Sequence, residues 1–149
     1  MTKTDKALSY FKNNYNCSQS VFVAFSDDFN IPESQCLKIA CAFGAGMGRQ
    51  QHTCGAITGA LMALGMKFGK DIEDDDSQKI KTYKKTITLF EEFKKIHGST
   101  NCKELLNNLD FKNDADYQKM IEMKIFDNKC NKYVEDAVKL TDKLINSDI

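Results

Sequence analysis

The sequence has no Trp, one Pro, two His and no net charge, its 21 Lys and Arg matching its 21 Asp and Glu over 149 residues. Without a basic surplus there is no face to offset phosphate charge, which argues against a nucleic-acid binder. A hydrophobic fraction of 42% excludes a disordered or supercharged chain. The longest apolar run, Cys54 to Met66, falls short of the roughly 20 residues a membrane-spanning helix needs, so no span is expected. Met1 to Asn16 carries Lys3, Asp5, Lys6 and Lys12 and no apolar run, so no secretory signal is visible and a reducing, cytoplasmic setting is expected. No Cys-x-x-Cys occurs, which excludes the thioredoxin motif and the common zinc-finger spacings. Without Cys-x-x-Cys-His there is no covalent c-type haem site either. Two His leave few general bases, which speaks against a hydrolase.

What is present is helical periodicity. The expected architecture is all-α, a single domain over residues 1–149 built as a bundle of about six or seven helices. The expected spans are Lys3 to Asn13, Cys17 to Phe29, Pro32 to Phe43, Cys54 to Phe68, Asp75 to His97, Cys102 to Leu109 and Asn128 to Asn146. Ile80, Tyr83, Ile87, Phe90, Phe93 and Ile96 recur at three and four, which predicts one inward stripe on the long helix. Gly98 is its stop signal. The acidic segment Asp71 to Asp76 reads as charge placed at that helix's positive end.

Two regions interrupt this pattern. Gly44, Gly46 and Gly48 stand within five positions, as in a loop that needs positive φ or close backbone approach. Arg49, the single Arg, follows directly, where its planar donors and free amides could hold an anion. The run follows no strand and is not a dinucleotide fingerprint. Gly55, Gly59 and Ala63 then repeat at four along one helix, a smooth strip for a neighbouring backbone or a ligand.

Six Cys in 149 residues are too few for a disulfide-stapled scaffold, which runs to roughly 8–10% Cys. In a reducing compartment such residues point to metal ligands or redox groups. Cys17, Cys54, Cys102 and Cys130 each fall in the first turn of an expected helix, where free N–H groups and the dipole favour thiolate. Each also begins an apolar stripe, Cys17 with Val21 and Phe25, and Cys54 with Ile57 and Leu61. Cys36 and Cys41 lie mid-helix about 140° apart and read as packing residues. His52, two residues before Cys54, reads as a loop histidine that could also supply a borderline ligand beside a thiolate.

These residues carry a resemblance. Asn16-Cys17-Ser18-Gln19-Ser20-Val21, the glycine loop leading into Thr53-Cys54-Gly55-Ala56-Ile57-Thr58-Gly59-Ala60, Cys102-Lys103-Glu104-Leu105-Leu106 and the late Cys130 resemble the C_GCAxxG_C_C family of small proteins described as redox-active. The pattern maps onto Cys17, Cys54, Gly55, Ala56, Gly59, Cys102 and Cys130, and omits Cys36 and Cys41. The resemblance implies a redox role, an electron donor or acceptor as partner, a functional link to a transporter, and similarity to a domain of split-Soret-type cytochromes.

The expectation that follows is a redox protein whose four cysteines Cys17, Cys54, Cys102 and Cys130 converge to hold an iron–sulfur cluster, expected as [2Fe–2S], for electron transfer. Gly55, Ala56, Gly59 and Arg49 are the candidate cofactor-binding residues beside them. Two alternatives remain open at this stage. One is metal-free thiol–disulfide exchange between two of the four sulfurs. The other is a structural four-Cys zinc site in a non-enzymatic helical module. A homodimer and a monomer are equally compatible with the pattern.

Overall fold

A computed structural model describes residues 1–147. Among these residues there are eight right-handed α-helices and no strand. They are α1 (Lys3–Lys12), α2 (Cys17–Val23), α3 (Glu33–Ala40), α4 (Gly55–Phe68), α5 (Asp76–His97), α6 (Cys102–Leu105), α7 (Asp114–Glu122) and α8 (Asn131–Ile145). The all-α fold expected from periodicity is the observed one. Local chemistry sets most boundaries. Asn16 accepts from the Gln19 N–H at 2.9 Å while Gln19 returns a bond to the Asn16 N–H, a capping box that starts α2 at Cys17. Asp75 caps α5, and Gly98 ends it in the left-handed conformation at φ 84°.

α4 is the axis of the fold. Its sequence is apolar or small on every side, and nine of its residues are buried, as befits a helix surrounded by others. It packs against α2, α5 and α8, while α1 and α3 flank α2. The main core runs through Val21, Phe25, Ile57, Leu64, Leu89, Phe93, Val134 and Val138. A second, smaller cluster of Cys102, Leu106, Met120 and Ile125 sits beyond it, and Cys130 packs against both.

Three expectations are corrected. α2 stops at Val23 and the chain turns through residues 24–30, although its apolar spacing continues to Phe25 and Phe29. α7 was not expected, because a nine-residue helix with one buried residue, Met120, leaves little periodicity to detect. The stripe on α5 is the largest correction. Its buried positions are Lys85, Leu89 and Phe93, while Ile80, Tyr83, Ile87 and Ile96 are exposed. A buried lysine accounts for the error, since apolarity alone cannot place Lys85 inside.

Lys85 is 1% exposed and satisfies the end of the last helix. Its ammonium donates to the Leu144 carbonyl at 3.0 Å, the Ser147 carbonyl at 3.1 Å and Ser147 Oγ at 3.0 Å, above the Phe68 ring. Carbonyls at a helix C-terminus lack intrahelical donors, and a cation there also complements the dipole. Lys85→Met keeps the stem and removes these bonds, so it is expected to lower stability by about 1–3 kcal/mol. A urea midpoint equal to wild type would show that the ammonium contributes nothing.

Candidate functional site

A cavity of about 570 Å³ opens between the two core clusters, and Cys17, Cys54, Cys102 and Cys130 all line it. They arrive from four separate segments. Cys17 opens α2 and Cys54 caps the start of α4. Cys102 opens α6. Cys130 departs from the helix-start expectation, for it closes a π-helical turn, Phe126–Cys130, that runs directly into α8. It therefore sees no free helix-end amides. Such π turns recur at functional sites.

A small backbone device ties the start of α4 to the start of α6. Thr53 and Asn101 form an isolated antiparallel bridge. The Cys54 N–H donates to the Thr100 carbonyl at 2.9 Å, and the Cys102 N–H to the His52 carbonyl at 2.6 Å. In an antiparallel bridge the residues that follow the bridged pair lie at its two ends, so Cys54 and Cys102 flank it and each is tied across it by its own N–H. His52 contributes this carbonyl while its side chain is exposed and off the cavity wall.

The glycine run has an unusual conformation. Ala45, Gly46, Met47, Gly48 and Arg49 all have φ between 55° and 69°, a left-handed turn closed by the Gly48 N–H on the Gly44 carbonyl at 2.9 Å. For an L-residue this region costs roughly 1–2 kcal/mol, so Ala45, Met47 and Arg49 store strain. Gln51 holds the turn in place. It is buried, receives the Phe111 N–H at 3.0 Å, and donates to the Leu109 carbonyl at 2.8 Å. The turn directs the Ala45 N–H to the Cys17 sulfur, where the amides of Ser18 and Gly55 also converge. Strain at such a position is characteristic of sites that must be pre-organised.

Gly55, Ala56 and Gly59 stand off the cavity wall and serve the approach of α2 to α4. A Cβ on Gly55 would come within 2.3 Å of Cys17 Sγ, and one on Gly59 within 2.5 Å of the Ser18 carbonyl. The absent side chains are what let Cys17 reach the cavity. Arg49 does line it, its guanidinium 5.3 Å from the Phe111 ring centre and 5.5 Å from that of Tyr117.

Two further lining residues escaped sequence reasoning. Cys41, expected to be packing, is exposed and borders the cavity, whereas Cys36 is fully buried in the core. Tyr133 faces the cavity and anchors its hydroxyl on the Leu105 carbonyl at 2.8 Å. The signal for it was its position three residues after Cys130, on the same helical face.

Burial dominates the electrostatics. It pushes all four thiols above their ordinary range, Cys102 to about 12 and Cys54 and Cys130 strongly upward, and the other sulfurs add to the shift. Cys17 is also raised by burial, against amides that pull the other way. This reverses the expectation that helix ends alone make thiolates here, because desolvation outweighs the dipole. Tyr133 is raised to about 12, first by burial and then by Cys130, Cys54 and Cys102.

The pH dependence of stability follows in sign. A cysteine in the unfolded chain ionises near pH 8.5, while these thiols stay protonated in the fold. The unfolded form therefore sheds protons first, and the metal-free protein is expected to lose stability as pH rises above about 8.5, by about 1 kcal/mol per thiol for each pH unit. Below that pH the contribution is constant. Urea midpoints measured on metal-free protein from neutral to alkaline pH check this, and a flat profile would contradict the burial of the thiols.

The donor set suits a soft, thiophilic group, and its number and shared cavity match a four-thiolate ligand set. Among the described residues, no three Cys, His, Asp or Glu side chains are gathered closely enough to hold a metal ion as they stand. A tetrahedral zinc needs its four sulfurs around one point. A multinuclear cluster distributes its thiolates over several irons and so tolerates wider spacing across a cavity. Four thiols on one cavity wall are a donor set of the kind that either group takes.

Residues 15–144 match the family described as "Putative redox-active protein (C_GCAxxG_C_C)". The chain belongs to the C_GCAxxG_C_C family. A protein of Archaeoglobus fulgidus named only as uncharacterized is 28% identical over 125 residues, covering 79% of this chain and 83% of that one. No solved structure matches significantly. The four cysteines of the C_GCAxxG_C_C pattern all lie on the cavity wall, and its glycines are the two that admit α2. No helix among the described residues is long and apolar enough to cross a membrane.

Proposed function

We propose that this C_GCAxxG_C_C protein binds an iron–sulfur cluster through Cys17, Cys54, Cys102 and Cys130 and transfers electrons. The observation that carries this reading is the meeting of four cysteines from distant segments on one cavity wall. A cluster bound there supplies a one-electron couple, the [2Fe–2S] form being the expected one.

The chain's own residues would do the rest. The four thiols lose their protons on ligation, since only thiolate is a ligand, and burial makes those protons costly to remove without a cation. The amides of Ala45, Ser18 and Gly55 donate to the Cys17 sulfur and so favour the electron-rich state. Leu105, Leu106, Phe111 and Phe126 exclude water, and Arg49 sets a positive charge at the wall. An all-cysteine ligand set offers no open coordination position, which suits electron transfer better than substrate turnover.

The test is iron and sulfide analysis with a visible spectrum on protein purified without oxygen. Iron and sulfide in similar amounts with broad charge-transfer bands are expected. Stoichiometric zinc in a colourless sample would replace this reading with a structural site, and a metal-free sample would replace it with thiol–disulfide exchange.

A further inference from the structure

The cysteine cavity is larger than any metal group its sulfurs could hold. A two-iron, two-sulfide core is four atoms, on the order of 120 Å³ at the roughly 30 Å³ that a water takes in the liquid, and a zinc ion is smaller still. Most of the cavity's volume of about 570 Å³ therefore lies beyond the metal group. The remainder has the size of a small-ligand site, roughly 300–1,000 Å³. Besides the sulfurs, the wall carries aromatic rings, among them Phe11, Tyr15 and Phe126, and three exposed charged groups, Lys12, Arg49 and Asp127.

Arg49 is the polar group of this wall whose donors the fold leaves unused. It is the single Arg of the sequence, and among the described residues it has no hydrogen-bond or ion-pair partner. Its guanidinium lies over the rings of Phe111 and Tyr117. A ring face attracts the cation through its quadrupole and accepts none of its five N–H donors in the ordinary way, so the rings steady the group and leave the donors for an anion. The backbone points the same way. Arg49 is held at φ 65°, a costly conformation for an L-residue, although the amide that serves the Cys17 sulfur is that of Ala45. The left-handed turn thus runs on past the sulfur contact and delivers Arg49 to the wall.

We propose that the space beyond the metal group is a subsite for a small organic anion, a carboxylate carried on a flat apolar body, whose carboxylate is held by Arg49. The charge of the occupant follows from the wall, where Lys12 and Arg49 stand against Asp127 alone. A guanidinium with free donors matches the two oxygens of a carboxylate as a fork. The body follows from the rings and from the polar groups already engaged. Asn16 is bonded to Gln19 and to the Cys41 carbonyl, and the Tyr133 hydroxyl to the Leu105 carbonyl. Such a wall suits a body that asks for few hydrogen bonds, and a bare inorganic anion would leave the rings uncovered. The inference rests on the cluster reading only for the division of the space, since a smaller metal group leaves more of it.

Titration calorimetry of the whole protein, purified without oxygen, with naphthoate and its uncharged amide tests this. Naphthoate is expected to bind saturably below about 1 mM, and the amide about tenfold more weakly. Arg49→Gln should lower naphthoate affinity about tenfold and leave that of the amide unchanged, so the preference for the carboxylate disappears. Arg49→Lys, which keeps the charge and loses the fork, should fall between the two. Because carboxylate and amide are compared on the same variant, a general loss of fold weakens both and leaves their ratio intact, whereas loss of the anion contact removes the ratio. Iron and sulfide measured on the same samples keep the two readings apart, a missing cluster showing in the iron and a missing subsite in the heat. No saturable binding of naphthoate, equal binding of naphthoate and amide by wild type, or a carboxylate preference that survives Arg49→Gln would overturn the proposal.

Discussion

Serine at any one of Cys17, Cys54, Cys102 or Cys130 is expected to reduce bound iron and sulfide at least about tenfold relative to wild type purified without oxygen. The expectation rests on geometry. The four sulfurs line one cavity, and Cys17, Cys102 and Cys130 each raise the charge cost of another, so the four act as one set and not as four packing residues. Removing one leaves three ligands and a hydroxyl, a poor donor to a soft metal. Cys36 and Cys41 supply the contrast. Cys36 is fully buried in the core away from the cavity, and Cys36→Ala should cost some stability while leaving metal content intact. Cys41 borders the cavity but is exposed, and Cys41→Ser should also leave metal content intact. Loss of iron in Cys41→Ser equal to that in Cys17→Ser would mean that the ligand set has been misassigned.

The second large effect is expected from one methyl group. Gly59→Ala places a Cβ 2.5 Å from the Ser18 carbonyl and 3.0 Å from Val21 Cβ, so α2 must move away from α4. Backbone cannot yield as a flexible side chain can, and a cost of about 3 kcal/mol is expected, at the upper end for overpacking. Gly55→Ala strikes the Cys17 sulfur itself at 2.3 Å and should displace that ligand, lowering both stability and metal content. Gly65 supplies the control on the same helix. Nothing lies within 4 Å of its added Cβ, so Gly65→Ala should stabilise by about 0.5–1 kcal/mol through helix propensity. Urea unfolding of the three variants checks the order, and equal effects at Gly59 and Gly65 would contradict the close approach of α2.

Much of this was legible in the residues, and for identifiable reasons. The start of α2 at Cys17 is set by Asn16 and Gln19 three apart, and the end of α5 by Gly98, both local chemistry that needs no tertiary context. Gly55 and Gly59 announced a close approach by their spacing, but only the fold shows that the visitor is Cys17 and the Ser18 carbonyl. The inward face of α5 was illegible because a lysine buried on helix-end carbonyls inverts the apolar signal. The left-handed turn over Ala45 to Arg49 was half visible. Its glycines were, but Ala45, Met47 and Arg49 adopt the same conformation against their own preference, held by Gln51 from outside. The thiol chemistry went astray for a similar reason, since helix ends are written in sequence and burial is not.

Iron K-edge X-ray absorption on the protein purified without oxygen addresses the central claim most directly. The account predicts a first shell of sulfur alone and an iron–iron scattering path, both lost when Cys17 or Cys102 is replaced by Ser. A first shell rich in oxygen or nitrogen, or iron with no second iron nearby, would contradict a cluster held by Cys17, Cys54, Cys102 and Cys130.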